Sequence, residues 1–150
     1  MKFASFTTGG LDSFGLVTDR GIVDLGRRLE AKGIHTLREA LTAGALAAAA
    51  EFAMDEPVDA LVSDVTFLPV IPDPSKIICV GLNYESHRLE TGKPKADHPT
   101  LFVRYANTQV GHRQPLIKPM ESDRFDYEGE LAVIIGRQGR RIAERDALGH

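Results

Sequence analysis

The chain has 150 residues, 43% of them hydrophobic, and a formal net charge of −3 at pH 7. That length fits one ordinary domain, or a small domain with part of another. The absence of a basic stripe removes the electrostatic footprint of a nucleic-acid binder. Cys79 is the single cysteine, which excludes an intramolecular disulfide framework and a thiolate metal cluster. No apolar run reaches the ~18 residues of a membrane span, and Met1-Lys2-Phe3-Ala4-Ser5-Phe6 carries no signal-peptide core. A cytoplasmic protein without nucleic-acid or membrane partners is the expectation.

Residues 2–8 and 14–18 are rich in Phe, Thr and Val and flank Gly9-Gly10-Leu11-Asp12-Ser13, a strand–turn–strand pattern. Asp19-Arg20-Gly21 predicts a second turn before Ile22-Val23-Asp24-Leu25, giving a small antiparallel meander. Residues 26–33 have a helical pattern that Gly33 stops. Thr36-Leu37-Arg38-Glu39 is a capping box, with Thr36 as N-cap and Glu39 at the third helical position. One helix after it would line up Leu37, Ala40, Leu41, Ala48 and Phe52 on a packing stripe. Residues 58–70 read as extended. Ile71-Pro72-Asp73-Pro74-Ser75 then marks a junction, because prolines two apart continue neither a helix nor a central strand. The expected organisation is α+β and strand-rich, with a small N-terminal α/β domain over residues 1–70 and a second domain over 71–150.

In the second part, residues 76–81 predict a buried strand, followed by a short helix from Glu85 to Leu89. Residues 92–99 form a loop, residues 100–105 another strand, and residues 107–115 a polar loop before the short extended Leu116-Ile117-Lys118-Pro119. The segment Phe125-Asp126-Tyr127-Glu128-Gly129-Glu130-Leu131-Ala132-Val133-Ile134-Ile135-Gly136 joins alternating acids to an apolar, β-branched run. It predicts a strand that enters a core. Glu144-Arg145-Asp146-Ala147-Leu148-Gly149-His150 looks like an element just beginning, so a chain cut inside a domain is expected.

On a strand, residues two apart share a face. Asp126, Glu128 and Glu130 would therefore point one way, and a divalent cation with oxygen ligands would answer their mutual repulsion. A solvated strand face is the plain alternative. Gly129 between the glutamates suggests close approach by a backbone or ligand. Two carboxylates without clustered His or Cys suit Mg²⁺, Mn²⁺ or Ca²⁺ better than Zn²⁺. His87 and Glu90 stand three apart after the 76–81 strand. On a helix they would share a face, and a carboxylate beside an imidazole suits a general base; a surface ion pair is the alternative. Arg104 in a strand would need a carboxylate partner if buried, and Lys118 and His112 could line a cleft. Cys79 inside an apolar strand reads as a packing residue.

Two segments together resemble one family. Ile77-Ile78-Cys79-Val80-Gly81-Leu82-Asn83-Tyr84 with His87 and Glu90 is similar to the "VGxNYxxHxxE" motif of the fumarylacetoacetate hydrolase family. The segment from Phe125 to Gly136 is similar to its "DYEGELAVVIG" motif, and Pro99-Thr100-Leu101-Phe102 lies between them. The resemblance is strong over residues 76–141 and looser over 1–70, where many bacterial members carry a small variable domain. It implies a mixed β-sandwich roll, of which residues 71–150 would be the first part, and a homodimer. It also implies Mg²⁺ or Mn²⁺ held by Glu128 and Glu130, with a third acidic ligand past residue 150. His87 and Glu90 match the acid–base pair, which in the family is often ordered only when a lid closes over substrate. Tyr84, Arg104 and Lys118 are candidate substrate-binding residues. Many members have lysine at the position of Arg104, and arginine is no simple substitute at a bidentate site.

The activity this implies is metal-dependent hydrolysis of a C–C bond in a small 2,4-dioxo acid, an acylpyruvate or fumarylpyruvate. The metal would stabilise an enolate while His87, held by Glu90, takes a proton from water. Catabolism of aromatic or related compounds is the setting implied. Isomerase, decarboxylase or lyase chemistry on related oxo acids is the first alternative. A catalytically silent metal-binding protein is the second.

Overall fold

A computed structural model describes residues 1–150. The architecture is α+β with antiparallel sheets, as the sequence predicts. Contacts divide the chain into two compact units, one formed by Met1–Ile71 with Val110–His150 and the other by Pro72–Gln109.

The first unit is built on a four-stranded sheet in the order β3-β2-β1-β4, all pairs antiparallel. Strands β1 (Lys2–Thr8) and β2 (Leu11–Thr18) are joined by Gly9 and Gly10, both with positive φ, which suits the twist of a two-residue hairpin turn. Strand β3 (Gly21–Asp24) follows the turn at Asp19-Arg20, and the short β4 (Thr66–Phe67) pairs with the free edge of β1, Phe6 opposite Phe67. Phe14 and Leu16 alternate onto one sheet face and pack with Val23, Leu25 and Leu29.

Helix α1 (Leu25–Leu29) is capped by Asp24, whose carboxylate accepts the Arg27 N–H at 3.0 Å and the Ser13 hydroxyl at 2.5 Å. Asp24 is buried, so both bonds matter: an unpartnered charge there would be costly. The chain then ends a 3₁₀ turn at Gly33, φ +69°, the expected left-handed stop. Helix α2 (Leu37–Thr42) begins with the expected capping box, Thr36 accepting the Glu39 N–H at 3.1 Å and Glu39 accepting the Thr36 N–H at 3.0 Å.

The single helix expected after Thr36 is instead two. Gly44 takes φ +63° and turns the chain, so α3 (Leu46–Met54) starts on a new axis. The packing stripe shifts accordingly: Leu37 and Ala40 remain buried, Ala49, Ala50 and Ala53 join them, and Phe52 is exposed. Residues 58–70 are less extended than expected. Ala60 makes one bridge to Ile22, and Val62–Asp64 forms a 3₁₀ turn before β4.

The larger correction concerns residues 126–136, which form no strand. Leu131, Val133 and Ile135 are exposed, and no second strand runs beside them. Apolar β-branched residues favour extended backbone, but a strand exists only through its partner's hydrogen bonds. No backbone approaches Gly129: a Cβ there would stand in open space.

In the second unit, β5 (Ile77–Gly81) pairs antiparallel with β6 (Thr100–Arg104), Cys79 opposite Phe102. The predicted short helix is α4 (Glu85–Glu90). Both strands are at least partly exposed; Ile78, Leu101, Phe102 and Val103 face outward, so β5 is not the buried strand its composition suggests, and Cys79 is only partly covered. No helix is long and apolar enough to cross a membrane.

Candidate active site

Strand β5 ends at Gly81, and the chain reverses through Leu82, which adopts φ +55°. A left-handed conformation is rare for a bulky side chain and costs roughly 1–2 kcal/mol. The turn delivers Asn83 and Tyr84 to the start of α4. Tyr84 occupies the N-cap position with extended backbone, φ −89° and ψ 126°, and its side chain makes no cap hydrogen bond. The residue is 41% exposed.

The sequence-predicted acid–base pair lies together on α4. His87 Nδ1 is 3.9 Å from Glu90 Oε2, one helical turn apart, with the imidazole half-buried and the carboxylate open to solvent. That separation is ion-pair range and longer than a hydrogen bond. Catalytic hydrogen bonds commonly close up only in the substrate complex. The backbone of His87 is pinned, since its carbonyl accepts the Thr91 N–H at 3.1 Å.

A second pair on the same helix was not singled out from sequence. Arg88 makes a fork with Glu85, Nε to Oε2 at 2.8 Å and Nη2 to Oε1 at 2.6 Å, and its Nη1 donates to the Lys93 carbonyl at 2.6 Å. The Arg88 hydrogen bond holds the Glu85 carboxyl below its ordinary range, and the same bond raises the guanidinium. The i,i+3 spacing of opposite charges is the signal that could have found it. Leu82 has no comparable signal, because nothing in its side chain announces a positive φ.

Glu128 and Glu130 lie on an exposed stretch without regular structure in the first unit. The neighbouring Asp126 turns its carboxylate onto the backbone, accepting the Tyr127 N–H at 2.8 Å. No group of His, Cys, Asp or Glu large enough to enclose a metal ion converges anywhere in the chain. The donor set at Glu128 and Glu130 is two hard carboxylates, which suits an octahedral cation that keeps water and substrate oxygens in its other positions.

The three residues read as substrate ligands, Tyr84, Arg104 and Lys118, are each exposed. Arg104 ends β6 and its Nη2 donates to the Thr108 carbonyl at 3.2 Å. Lys118 Nζ closes a local loop, reaching the Ser122 carbonyl at 2.8 Å and the Asp123 carboxylate at 3.0 Å. His112 packs edge-on against Phe67, ring centroids 5.7 Å apart, in the first unit. It is part of the contact that seats residues 110–114 on β4.

Residues 76–150 match the family described as fumarylacetoacetate hydrolase, C-terminal. Among curated proteins, the chain is 42% identical over 88 residues to the mitochondrial oxaloacetate tautomerase of Xenopus laevis, covering 59% of this chain and 28% of that protein. It is 40% identical, with the same coverage, to a mitochondrial oxaloacetate tautomerase of Homo sapiens. An uncharacterised protein of Archaeoglobus fulgidus is 44% identical over 86 residues, covering 57% of this chain and 34% of that one. Among solved structures, a protein of Mycobacterium smegmatis assigned as HpcE superposes with a TM-score of 0.57 at 24% identity, covering 79% of this chain and 41% of its own; the likeness is one of fold. The chain thus spans less than a third of the length of the tautomerases it matches. The family match takes in half of the residues and contains both motifs, so this chain belongs to the fumarylacetoacetate hydrolase family.

Proposed function

We propose that this chain carries the acid–base pair and two metal-ligating carboxylates of an enzyme that acts on a small oxo acid by moving a proton next to its carbonyl. The observation that carries this reading is the approach of His87 Nδ1 to Glu90 Oε2 on α4. A structural metal protein has no use for such a pair. With Glu90 on the Nδ1 side, Nε2 is the nitrogen that takes the proton. Glu90 fixes the tautomer and stabilises the imidazolium once it forms.

Glu128 and Glu130 would hold Mg²⁺ or Mn²⁺, with Ca²⁺ as a substitute; the bound ion would supply Lewis-acid stabilisation of negative charge on substrate oxygens. Tyr84, Arg104 and Lys118 would meet the substrate, Arg104 through its planar, two-pronged guanidinium. In the hydrolytic reading, His87 takes a proton from water, the oxygen attacks the C4 carbonyl of a 2,4-dioxo acid, and the C–C bond breaks to give pyruvate and a carboxylic acid. A homodimer in the cytoplasm, divided into residues 1–70 and 71–150, belongs to the same proposal.

The names of the relatives favour a second reading. Keto–enol tautomerisation of an oxaloacetate-like acid needs the same proton mover and no attacking water. One experiment separates the two. The chelator-treated protein is titrated with Mg²⁺ or Mn²⁺ while an acylpyruvate and oxaloacetate are followed through their enol absorbance. Pyruvate together with a second carboxylic acid means hydrolysis; enol–keto exchange with unchanged formula means tautomerisation; pyruvate together with CO₂ from oxaloacetate means decarboxylation. Metal-dependent turnover that survives Glu128→Ala would refute the ligand assignment. Turnover untouched by His87→Ala would refute the acid–base assignment.

A further inference from the structure

Helix α4 is six residues long, buries no residue and lacks a side-chain N-cap. Isolated helices shorter than ~12 residues do not hold in water. Something other than propensity or a buried face must therefore maintain the turn that presents His87 and Glu90. Leu89, its one large aliphatic residue, is exposed and contributes little.

Side-chain bonds at both ends of the helix converge on Arg88. Its side chain is only 18% exposed although the helix buries nothing. Two of its nitrogens grip both oxygens of Glu85 in the first turn. The third nitrogen reaches past the helix end to the Lys93 carbonyl. The exit is closed between those anchors: the Thr91 hydroxyl donates to the Arg88 carbonyl at 3.0 Å, and the Gly92 N–H to the Leu89 carbonyl at 3.1 Å, with Gly92 at φ +66°. Successive helical residues are ~100° apart around the axis, so the Glu85–Arg88 and His87–Glu90 pairs lie on different faces. Arg88 is thereby kept on Glu85 while Glu90 answers His87.

We infer that Arg88 is the positioning residue of the α4 acid–base pair: its guanidinium ties the first turn to the exit loop, and so fixes the turn on which His87 and Glu90 stand. The inference rests on the function proposed above for its chemical consequence, and on geometry alone for its structural one. The planar fork is essential. Lysine retains the charge but is a point donor, and cannot reproduce the two-pronged grip on Glu85 while reaching Lys93.

The test uses Arg88→Met, Arg88→Lys and Glu85→Ala in the whole chain, with two readouts. Amide exchange at Thr91 and Gly92, and the NMR titration of the His87 imidazole, report the helix without needing turnover. Steady-state kinetics on the oxo acid report the chemistry. Arg88→Met should bring exchange at Thr91 and Gly92 to the rate of an open loop and move the His87 titration. It should lower kcat about tenfold with KM within about twofold, the signature of lost orientation. Arg88→Lys should fall between, and Glu85→Ala should reproduce Arg88→Met and not add to it. Unchanged exchange and titration in Arg88→Met would overturn the inference whatever the kinetics do. A lower kcat with unchanged exchange would also overturn it, placing Arg88 on substrate. The expected exchange changes in a protein that turns over no oxo acid would leave the positioning role standing and sink the proposed function.

Discussion

Leu82 turns β5 toward α4 in a conformation that bulky residues avoid, and this reverses the usual order of two substitutions. Leu82→Ala and Leu82→Gly remove nearly the same buried surface. Leu82 is half-buried, so that loss is about 1 kcal/mol, roughly half of a full leucine burial. The two variants differ in backbone. Alanine retains the left-handed cost of roughly 1–2 kcal/mol at φ +55°. Glycine removes that cost and adds about 0.4–1 kcal/mol of unfolded-chain entropy. Leu82→Gly should therefore hold the turn about 0.5–1 kcal/mol better than Leu82→Ala. It should also lie within about 1 kcal/mol of the parent, because relief of strain offsets most of the lost burial. In an ordinary strand or helix the order is opposite, alanine leading by roughly 0.5–1 kcal/mol. Amide exchange at Arg88 and Thr91, whose N–H groups bond to Tyr84 and His87, measures this locally without requiring the whole chain to melt in one step. Alanine equal to or better than glycine would refute the assignment of strain to Leu82.

Four further outcomes follow from the first unit. Thr36→Ala should cost about 1 kcal/mol of α2 stability by urea unfolding. Its partner Glu39 is held below the usual carboxylate range, chiefly by the His35 N–H. A lowered folded pKa gives stability that is present above the ordinary glutamate range and lost as pH falls through the folded value, so Glu39→Gln should flatten the acid limb of the unfolding curve. Arg28→Met should destabilise by about 2 kcal/mol, because Arg28 joins Glu56, Asp59 and the carbonyls of Asp24 and Pro57 while mostly covered. Those carboxylates raise the Arg28 pKa, Asp59 foremost, so its contribution should hold from neutral pH upward until the guanidinium deprotonates. Gly111→Ala should cost about 1–3 kcal/mol by thermal unfolding, since a Cβ there would collide with the Phe67 carbonyl.

What was legible in the sequence is what the chain decides locally. The capping box at Thr36, the two-glycine hairpin, the stop at Gly33 and the turn before β3 are each written within about four residues. The capping box, the stop and the turn before β3 appear where they were read; the first hairpin is tighter than read, its second strand beginning at Leu11 and not at residue 14. Helix α4 was legible for the same reason, and with it the spacing of His87 and Glu90. Gly44 was passed over because a glycine inside a helical pattern is often tolerated; its left-handed φ splits the helix and moves Phe52 off the packing stripe.

The acid segment failed for the converse reason, and the failure bears on the metal. Alternation at Asp126, Glu128 and Glu130 says which side chains would share a face if the backbone were paired. It cannot supply the partner that fixes the pairing. Without a neighbouring strand, Leu131, Val133 and Ile135 stay exposed and Asp126 turns onto its own backbone. The same two glutamates that read as ligands therefore lack the rigid frame that sets a cation's coordination number. The His87–Glu90 turn has its frame within itself, in the fork from Arg88 to Glu85 and Lys93. The acid–base half of the proposed chemistry is thus fixed by contacts near in sequence, and the metal half depends on contacts that are distant. Perturbations near α4 should act through orientation, and those near Glu128 through metal affinity.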